Sequence, residues 1–483
     1  MYTKSLARII AIFIMLNVML SACDALHISV SPYTSTPGPT STSTPKPKVT
    51  LTPQPTGTPT MPAYLNIPAS SLKGTQIRFW HPWQGDLAWQ TADRVVEFNN
   101  TNPWGITVNF YAPGGTTALL ESVQESLKDG TQPNVVIAPS SYLAAWQRKY
   151  KNLINLDDYI NHMEYGLSAQ EIADFYPAIW QQDQLDGRRF GYPLQRDAYV
   201  LVYNKTWADE LGYATLPSTP AQFQNQICSA NQVQREDDDP QNDGTGGWIV
   251  RSDEGEALSW LLAFDYPGLS GLYEDRYQFM EASSIRAFRY LRYLFDSECS
   301  WNSRNPSPYE YFAKRQAIAF SARLSELPQI QDNMQFYESG DQWTVLPYPG
   351  QDKEQIMLAE GQSFGVFAAS PEEQMASWLF IKWLDTADYQ AEIIQATSTL
   401  PVSKSAIAET EPFQKSLPQW ADVLQYMDIV QGMPNGSQWN TARSVLADAN
   451  WQLYQQADLE DSSEAMGKIL NQLDLTIKEI TTN

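Results

Sequence analysis

The sequence predicts an α/β fold, and three observations predict it. Beyond about residue 70 the chain continues for more than 400 residues, enough for two domains with cores of their own. Along that body, short runs of β-branched and aromatic residues alternate with longer segments of helical apolar spacing. One run, residues 134–138, is almost wholly apolar, the composition of a strand covered on both faces of a parallel sheet.

Residues 75–80 read as the first strand, followed by the turn residues Pro82 and Gly85. Residues 87–99 place Leu87, Val95, Val96 and Phe98 at helical spacing. A second strand at 106–111 ends at Pro113, Gly114 and Gly115, and a helix at 117–128 is stopped by Gly130. After the third strand, 134–138, a further strand at 198–203 leads into an amphipathic segment ending near Leu211. Residues 285–295 carry Phe288, Leu291, Leu294 and Phe295 at helical spacing. Short strands follow at 317–320, 345–346 and 364–368, then a helix at 372–384 with Trp378, Leu379, Ile381, Trp383 and Leu384 inward. From Gln438 to the end the pattern is helical, with Ile469, Leu470, Leu473 and Ile477 in one stripe. These stripes read as core.

The N-terminal residues point to export. Lys4 and Arg8 precede an apolar run, residues 9–20, broken only by Asn17. That run is shorter than the roughly 20 residues a membrane helix needs, so residues 1–22 read as a cleavable signal peptide. The stretch Leu20-Ser21-Ala22-Cys23 resembles the bacterial lipobox, which implies cleavage before Cys23 and lipidation of its thiol. An ordinary signal peptide with a chance cysteine is the alternative. Residues 23–69 then read as a stalk: Thr and Pro supply 19 of the 32 residues from 31 to 62. Such a segment buries too little surface to offset the entropy of ordering. Proline extends it, to a reach of at most about 100 Å at ~3.1 Å per residue.

Removing residues 1–22 takes away two positive charges and no acids, so the net charge of −23 becomes −25. That balance argues against nucleic acid or an anionic membrane as a partner surface. With Cys23 assigned to lipid, Cys228 and Cys299 remain, an even pair that forms one disulfide or stays as two buried thiols. No later apolar run reaches 18 residues, and no internal repeat is evident.

Several local patterns share a known order. Gly130-Thr131-Gln132-Pro133-Asn134-Val135-Val136 looks like a Gly-x-x-Pro-Asp-Val element with Asn134 in place of Asp, and residues 153–159 look like a Leu-x-Asp-Leu stretch. Gly187, Arg188, Phe190, Gly191, Tyr192 and Pro193 precede Asp197, a strand ending Tyr203-Asn204-Lys205, and then Pro217-Ser218-Thr219. Leu400-Pro401-Val402 follows a late helix. In this order the chain resembles the family 1 extracellular solute-binding proteins of sugar importers, the group that contains maltose-binding protein, over nearly all of residues 75–483. The resemblance implies a two-lobed periplasmic-binding-protein type II fold with hinge-crossing strands. Lobe 1 would comprise 70–192 plus 364–403, and lobe 2 would comprise 193–363 plus 404–483. It also implies a monomer, served by ABC transporter permease subunits and needing no cofactor, that captures a small polar solute between the lobes by hinge closure.

A sugar offers an apolar C–H face to aromatic rings and a rim of hydroxyls to charged and amide groups. The family places contacts after the first strand, where this chain has Trp80, His81 and Trp83; Trp80 could equally be core. Ser140, Ser141 and Tyr142 follow the third strand at another such position. Asp197 matches an acidic position in the first crossing, with pairing to Arg196 as its alternative. Trp439 matches a stacking tryptophan of the maltose-binding branch. Where that branch carries another tryptophan, this chain has Ala322 and Arg323, and Arg323 could recognise a carboxylate or phosphate instead. Gly361, Gln362 and Ser363 precede the second crossing; Trp248 and Trp260 are core or cleft.

The acidic run 237–244 looks like the opening of a calcium loop, yet a loop begun at Asp239 puts Val250 where the bidentate Glu belongs, so no metal site is assigned. A glycan hydrolase needs two carboxyls at fixed separation. No nucleophile or metal-ligand motif accompanies His27, His81 and His162, so a binding protein is preferred. A ligand-binding partner of a membrane sensor would share every feature above.

Overall fold

Strands in this chain form where β-branched and aromatic residues cluster, and they gather into two sheets. A computed structural model describes residues 62–304, 307–351, 354–456 and 458–482, all within the unit Met61–Asn483. The signal-peptide, Cys23 and most of the stalk readings lie outside the described residues.

The first sheet is built from β1 (Gln76–Trp80), β2 (Thr107–Tyr111) and β3 (Val135–Pro139), with β2 and β3 parallel to β1 on either side. All of β3 but its last residue is buried, as its unbroken apolar run requires. Helix α1 (Gly85–Thr101) connects β1 to β2, and α2 (Thr116–Asp129) connects β2 to β3. Helix α3 (Ser140–Tyr150) starts directly at the end of β3. A small hairpin, β4 (Gln184–Leu185) with β5 (Arg188–Arg189), precedes β6 (Tyr192–Pro193). Three residues past β6 the chain enters β7 (Asp197–Asn204), buried along its whole length at the centre of the second sheet.

The second sheet adds β8 (Gly246–Val250), β9 (Ser300–Asn302), β10 (Ala317–Arg323), β11 (Trp343–Leu346) and β12 (Met357–Glu360). Its order puts β10, β8 and β9 on one side of β7, and β12 with β14 (Val430–Gly432) on the other; β11 also pairs with β7. Helices α4 (Pro220–Glu236), α5 (Glu254–Ala263), α6 (Ala282–Asp296), α8 (Trp439–Gln455) and α9 (Ser463–Thr482) belong to this lobe. After β12 the chain returns through Gly361 to β13 (Gln362–Val366), which pairs antiparallel with β3 and β6, and then to α7 (Pro371–Leu384).

Two segments therefore cross between the sheets side by side, 194–196 and 361, and the chain passes back to the second sheet after Leu400, whose N donates to Arg196 O at 2.7 Å. Leu194 N and Gln195 N both donate to Gln362 O at 3.1 Å. A Cβ on Gly361 would lie 2.0 Å from Gln195 O, so only glycine permits this approach. Arg196 is fully buried here and pairs with the equally buried Asp183 at 2.8 Å. It also donates to Gln182 Oε1 at 2.6 Å, to Gln362 O at 2.8 Å and to Ser363 Oγ at 3.0 Å. Arg196 thus takes its carboxylate from Asp183, not from the adjacent Asp197.

Two details differ from the sequence reading. Residues 63–69, expected to close the stalk, pack onto the first lobe, where Leu65 joins the core and its O meets His162 Nε2 at 3.1 Å. The run 237–244 folds as a turn whose acids serve the backbone. Asp237 accepts from Asp239 N at 2.7 Å, and Asp239 accepts from Gln241 N at 3.0 Å. Cys228 on α4 and Cys299 at the start of β9 are disulfide-bonded, with Cα atoms 4.5 Å apart.

Candidate functional site

Beside the crossing segments, where β3, β10 and β12 end, the two lobes face each other across a cavity of about 250 Å3. Open α/β sheets place ligands beyond strand ends in this way. The first lobe contributes Ser141 and Tyr142 from the first turn of α3; the second contributes Asp197, Arg323, Glu360 and Arg443. Gln195, Gly361 and Gln362 form the wall at the hinge.

Charge dominates the second lobe's side. Arg323 Nη2 lies 2.8 Å from Glu360 Oε1, and its guanidinium lies over the Tyr199 ring, 4.3 Å from the centroid. Arg443 reaches the same carboxylate, Nη1 to Oε2 at 2.8 Å and Nη2 to Oε1 at 3.0 Å, while its Nε donates to Glu254 Oε1 at 2.9 Å. Tyr199 OH donates to Glu360 Oε1 at 2.7 Å. Burial alone would raise the Glu360 pKa, but Arg443 and Arg323 outweigh it and hold the carboxyl at about 2. Asp197 accepts from Ser325 N at 3.0 Å and Ser325 Oγ at 2.7 Å; burial nevertheless pushes its pKa above the usual carboxylate range. Gln362 Oε1 is buried and has no hydrogen-bond partner among the described residues.

The lobes also touch directly. Ser141 Oγ donates to Asn440 Oδ1 at 2.8 Å, and Arg148 Nε sits 3.5 Å from Asp275 Oδ2.

Of the residues singled out in the sequence, Ser141, Tyr142, Asp197, Arg323, Gly361 and Gln362 line this cavity. Ser140 and Ser363 instead bond the buried Asp183, and the histidine and five tryptophans lie elsewhere. His81 is fully buried, its ring 5.3 Å from Phe79 and 6.0 Å from Phe110, and burial lowers its pKa to about 4. Trp83 joins the same core, and Trp80 packs edge-on against Tyr111 at 5.2 Å. Trp248 and Trp260 are fully buried beside Phe223, their rings 5.6 Å apart. Trp439 is fully buried too, its ring nearly parallel to Tyr277 at 6.5 Å. The reason is helical phase: Trp439, Ala442, Leu446 and Leu453 form the buried stripe of α8. Arg443, one position beyond Ala442, falls on the flank that reaches the cleft. Arg323, offered by the sequence as a group that could recognise a carboxylate or phosphate, pairs with Glu360 of this chain.

Glu360, Arg443 and Gln195 were not anticipated. Glu360 did leave a trace, as a lone acid closing the apolar strand Met357–Glu360. Arg443 is one of two charged residues on α8, with Asp448, and carries no local signal.

Two lobes, two crossing segments and a polar cavity between them define a solute-binding protein of the hinged, two-lobed kind. Residues 93–422 match the family model for bacterial extracellular solute-binding proteins, and this chain belongs to that family, whose members act outside the cytoplasm. No curated protein matches it at the level of sequence. Among solved structures it is similar to the sugar-binding protein MalE from Xanthomonas citri (18% identity, 84% of this chain and 98% of that one, TM-score 0.70). A solute-binding protein from Thermotoga lettingae bound with α-D-tagatose gives 15% identity, 84% and 100% coverage, and a TM-score of 0.61. UgpB from Mycobacterium tuberculosis, in complex with glycerophosphocholine, gives 16% identity, 85% and 100% coverage, and a TM-score of 0.62. At these identities the likeness is one of fold.

Proposed function

We propose that this protein is the extracytoplasmic substrate-binding component of an ABC importer and that it captures a mono- or oligosaccharide between its lobes without altering it. The observation that carries this reading is the wall of the interlobe cavity. It offers acceptors at Asp197 and Gln362, ion-paired donors at Arg323 and Arg443, and the Tyr142 ring at the rim. Alternating donors and acceptors with one aromatic face suit a ring of hydroxyls. At about 250 Å3 the cavity falls below the roughly 300–1,000 Å3 of drug-sized sites, the scale of a single sugar residue. The tagatose-bound and MalE-type neighbours support the same class.

The lobe assignment follows this reading, 70–192 plus 364–403 on one side and 193–363 plus 404–483 on the other, with the hinge at 194–196, 361 and the passage after Leu400; Pro193, Gln362 and Ser363, which pair within the first sheet, then go to the first side. The body acts as a monomer that presents its closed form to the permease. A lipid on Cys23 tethers it, so Cys23→Ser should release the protein from the membrane fraction. A thermal-shift screen over mono- and oligosaccharides tests the central point. A true ligand at 100 times its Kd adds about 2.7 kcal/mol of stability. No shift with any saccharide, or turnover of a bound one, would overturn the proposal.

A further inference from the structure

The arginines of the cleft look at first like an anion site, since a planar guanidinium fork matches phosphate and carboxylate. Their geometry says otherwise. Both oxygens of Glu360 are engaged: Oε1 by Arg323 at 2.8 Å and Arg443 at 3.0 Å, Oε2 by Arg443 at 2.8 Å. Arg443 turns its remaining Nε to Glu254 at 2.9 Å, and Arg323 lays its face on Tyr199. Arg443 spends Nε and both Nη atoms on carboxylates, and Arg323 spends its Nη2 on Glu360. Against the two guanidinium charges stand three acids, Glu254, Glu360 and Asp197, the last on the same cavity wall.

We propose that Glu360 is the specificity-determining residue of the cleft: by clamping Arg323 and Arg443 it admits an uncharged polyhydroxylated solute and excludes phosphorylated or carboxylated ones. This rests on the interlobe cavity being the solute site, as proposed above. An incoming phosphate would have to displace Glu360 from both arginines, leaving a carboxylate unpaired at the hinge, or else lie against Asp197 and Glu360 in a partly desolvated cleft. Either arrangement sets like charges together where water screens them poorly. A neutral hydroxyl disturbs none of these pairs. It can donate to Asp197 on the same wall.

Isothermal titration of the full protein with inorganic phosphate, glucose 1-phosphate and glucose tests this, on wild type, Glu360→Gln and Glu254→Gln. Glu360→Gln releases Arg323 and weakens the hold on Arg443, which keeps Glu254, and should bind inorganic phosphate and glucose 1-phosphate at least tenfold tighter than wild type. Glu254→Gln releases Arg443 Nε and Nη2 while Glu360 still holds both arginines, and should gain less. Wild type binding either anion as tightly as a folded Glu360→Gln would overturn the inference. If Glu360→Gln fails to fold by circular dichroism, Glu254→Gln decides: no gain in anion affinity sinks the idea. Inorganic phosphate needs no sugar recognition, so these results stand whether or not saccharides bind. Failure of every neutral saccharide on wild type, with the anion gain present, would count against the importer's sugar alone.

Discussion

Trp439 shows how one residue is decided by helical phase. Its place at the start of α8 suits a stacking ring, yet the buried stripe of that helix runs through it, and the ring is wholly enclosed. Trp439→Ala should therefore cost about 3–5 kcal/mol of folding stability through the cavity it leaves. A denaturant midpoint showing less than about 1 kcal/mol would return the ring to the cleft. Glu256 makes a second case. It is fully buried on α5, accepts from Arg251 N at 2.8 Å and Ser252 N at 3.2 Å, and burial raises its pKa to about 7. The unfolded carboxyl titrates near 4.3, so between about pH 4.5 and 7 the unfolded chain has lost a proton that the folded one keeps. Stability then falls as pH rises through that window, by roughly 2–3 kcal/mol from this group. Glu256→Gln should flatten the fall when unfolding free energy is followed from pH 5 to 7.5. An unchanged slope would reject the assignment. Glu360 works in the opposite direction. Held at about 2, it contributes stability above pH 4.5 that is lost as pH drops toward 2.

At the scale of elements, legibility follows exposure. Helices α1, α2 and α9 each keep a solvent face, so their apolar stripes are visible in the sequence. Helix α5 was missed because every residue from Gly255 to Ala263 is buried, which erases the polar half of the period. Strand β8 was missed because it opens with two glycines. A Cβ on Gly247 would lie 2.0 Å from Cys299 O, so glycine is what lets β9 come this close, next to the Cys228–Cys299 bond. That bond closes a separation of 71 residues. A Cys228→Ser/Cys299→Ser double variant should lose about 4 kcal/mol on the chain-entropy model. Intact-mass analysis after non-reducing alkylation checks the bond itself; two alkylated thiols in the native protein would refute it.

On the scale of the whole molecule, short crossing backbone at the hinge is locked around Arg196 and Asp183, with Leu400 bridged to Arg196 and Gln182 donating to Ala359 O and Met433 O. A buried pair of this kind fixes geometry more than it stabilises, because desolvation offsets most of the attraction. Bending then falls on 194–196, on 361 and on the passage after Leu400, which is bridged to Arg196, while Ser141–Asn440 and Arg148–Asp275 join the lobes directly across the cleft. Small-angle scattering should show the radius of gyration falling when a saccharide that stabilises the protein is added to saturation. An unchanged radius would argue for a rigid cleft.

The sequence by itself determined the α/β class, the order of its elements and the likeness to solute-binding proteins, because strand and helix periodicity and turn chemistry are local. Tertiary packing alone decided which side chains meet in the cleft. Glu360 and Arg443 stand 83 residues apart and belong to different elements. Whether a tryptophan after a strand faces core or cavity depends on what a distant segment lays over it. Rings worth most when buried went into the cores, and the paired charges, whose heads can stay at a wet surface, were left to line the cavity.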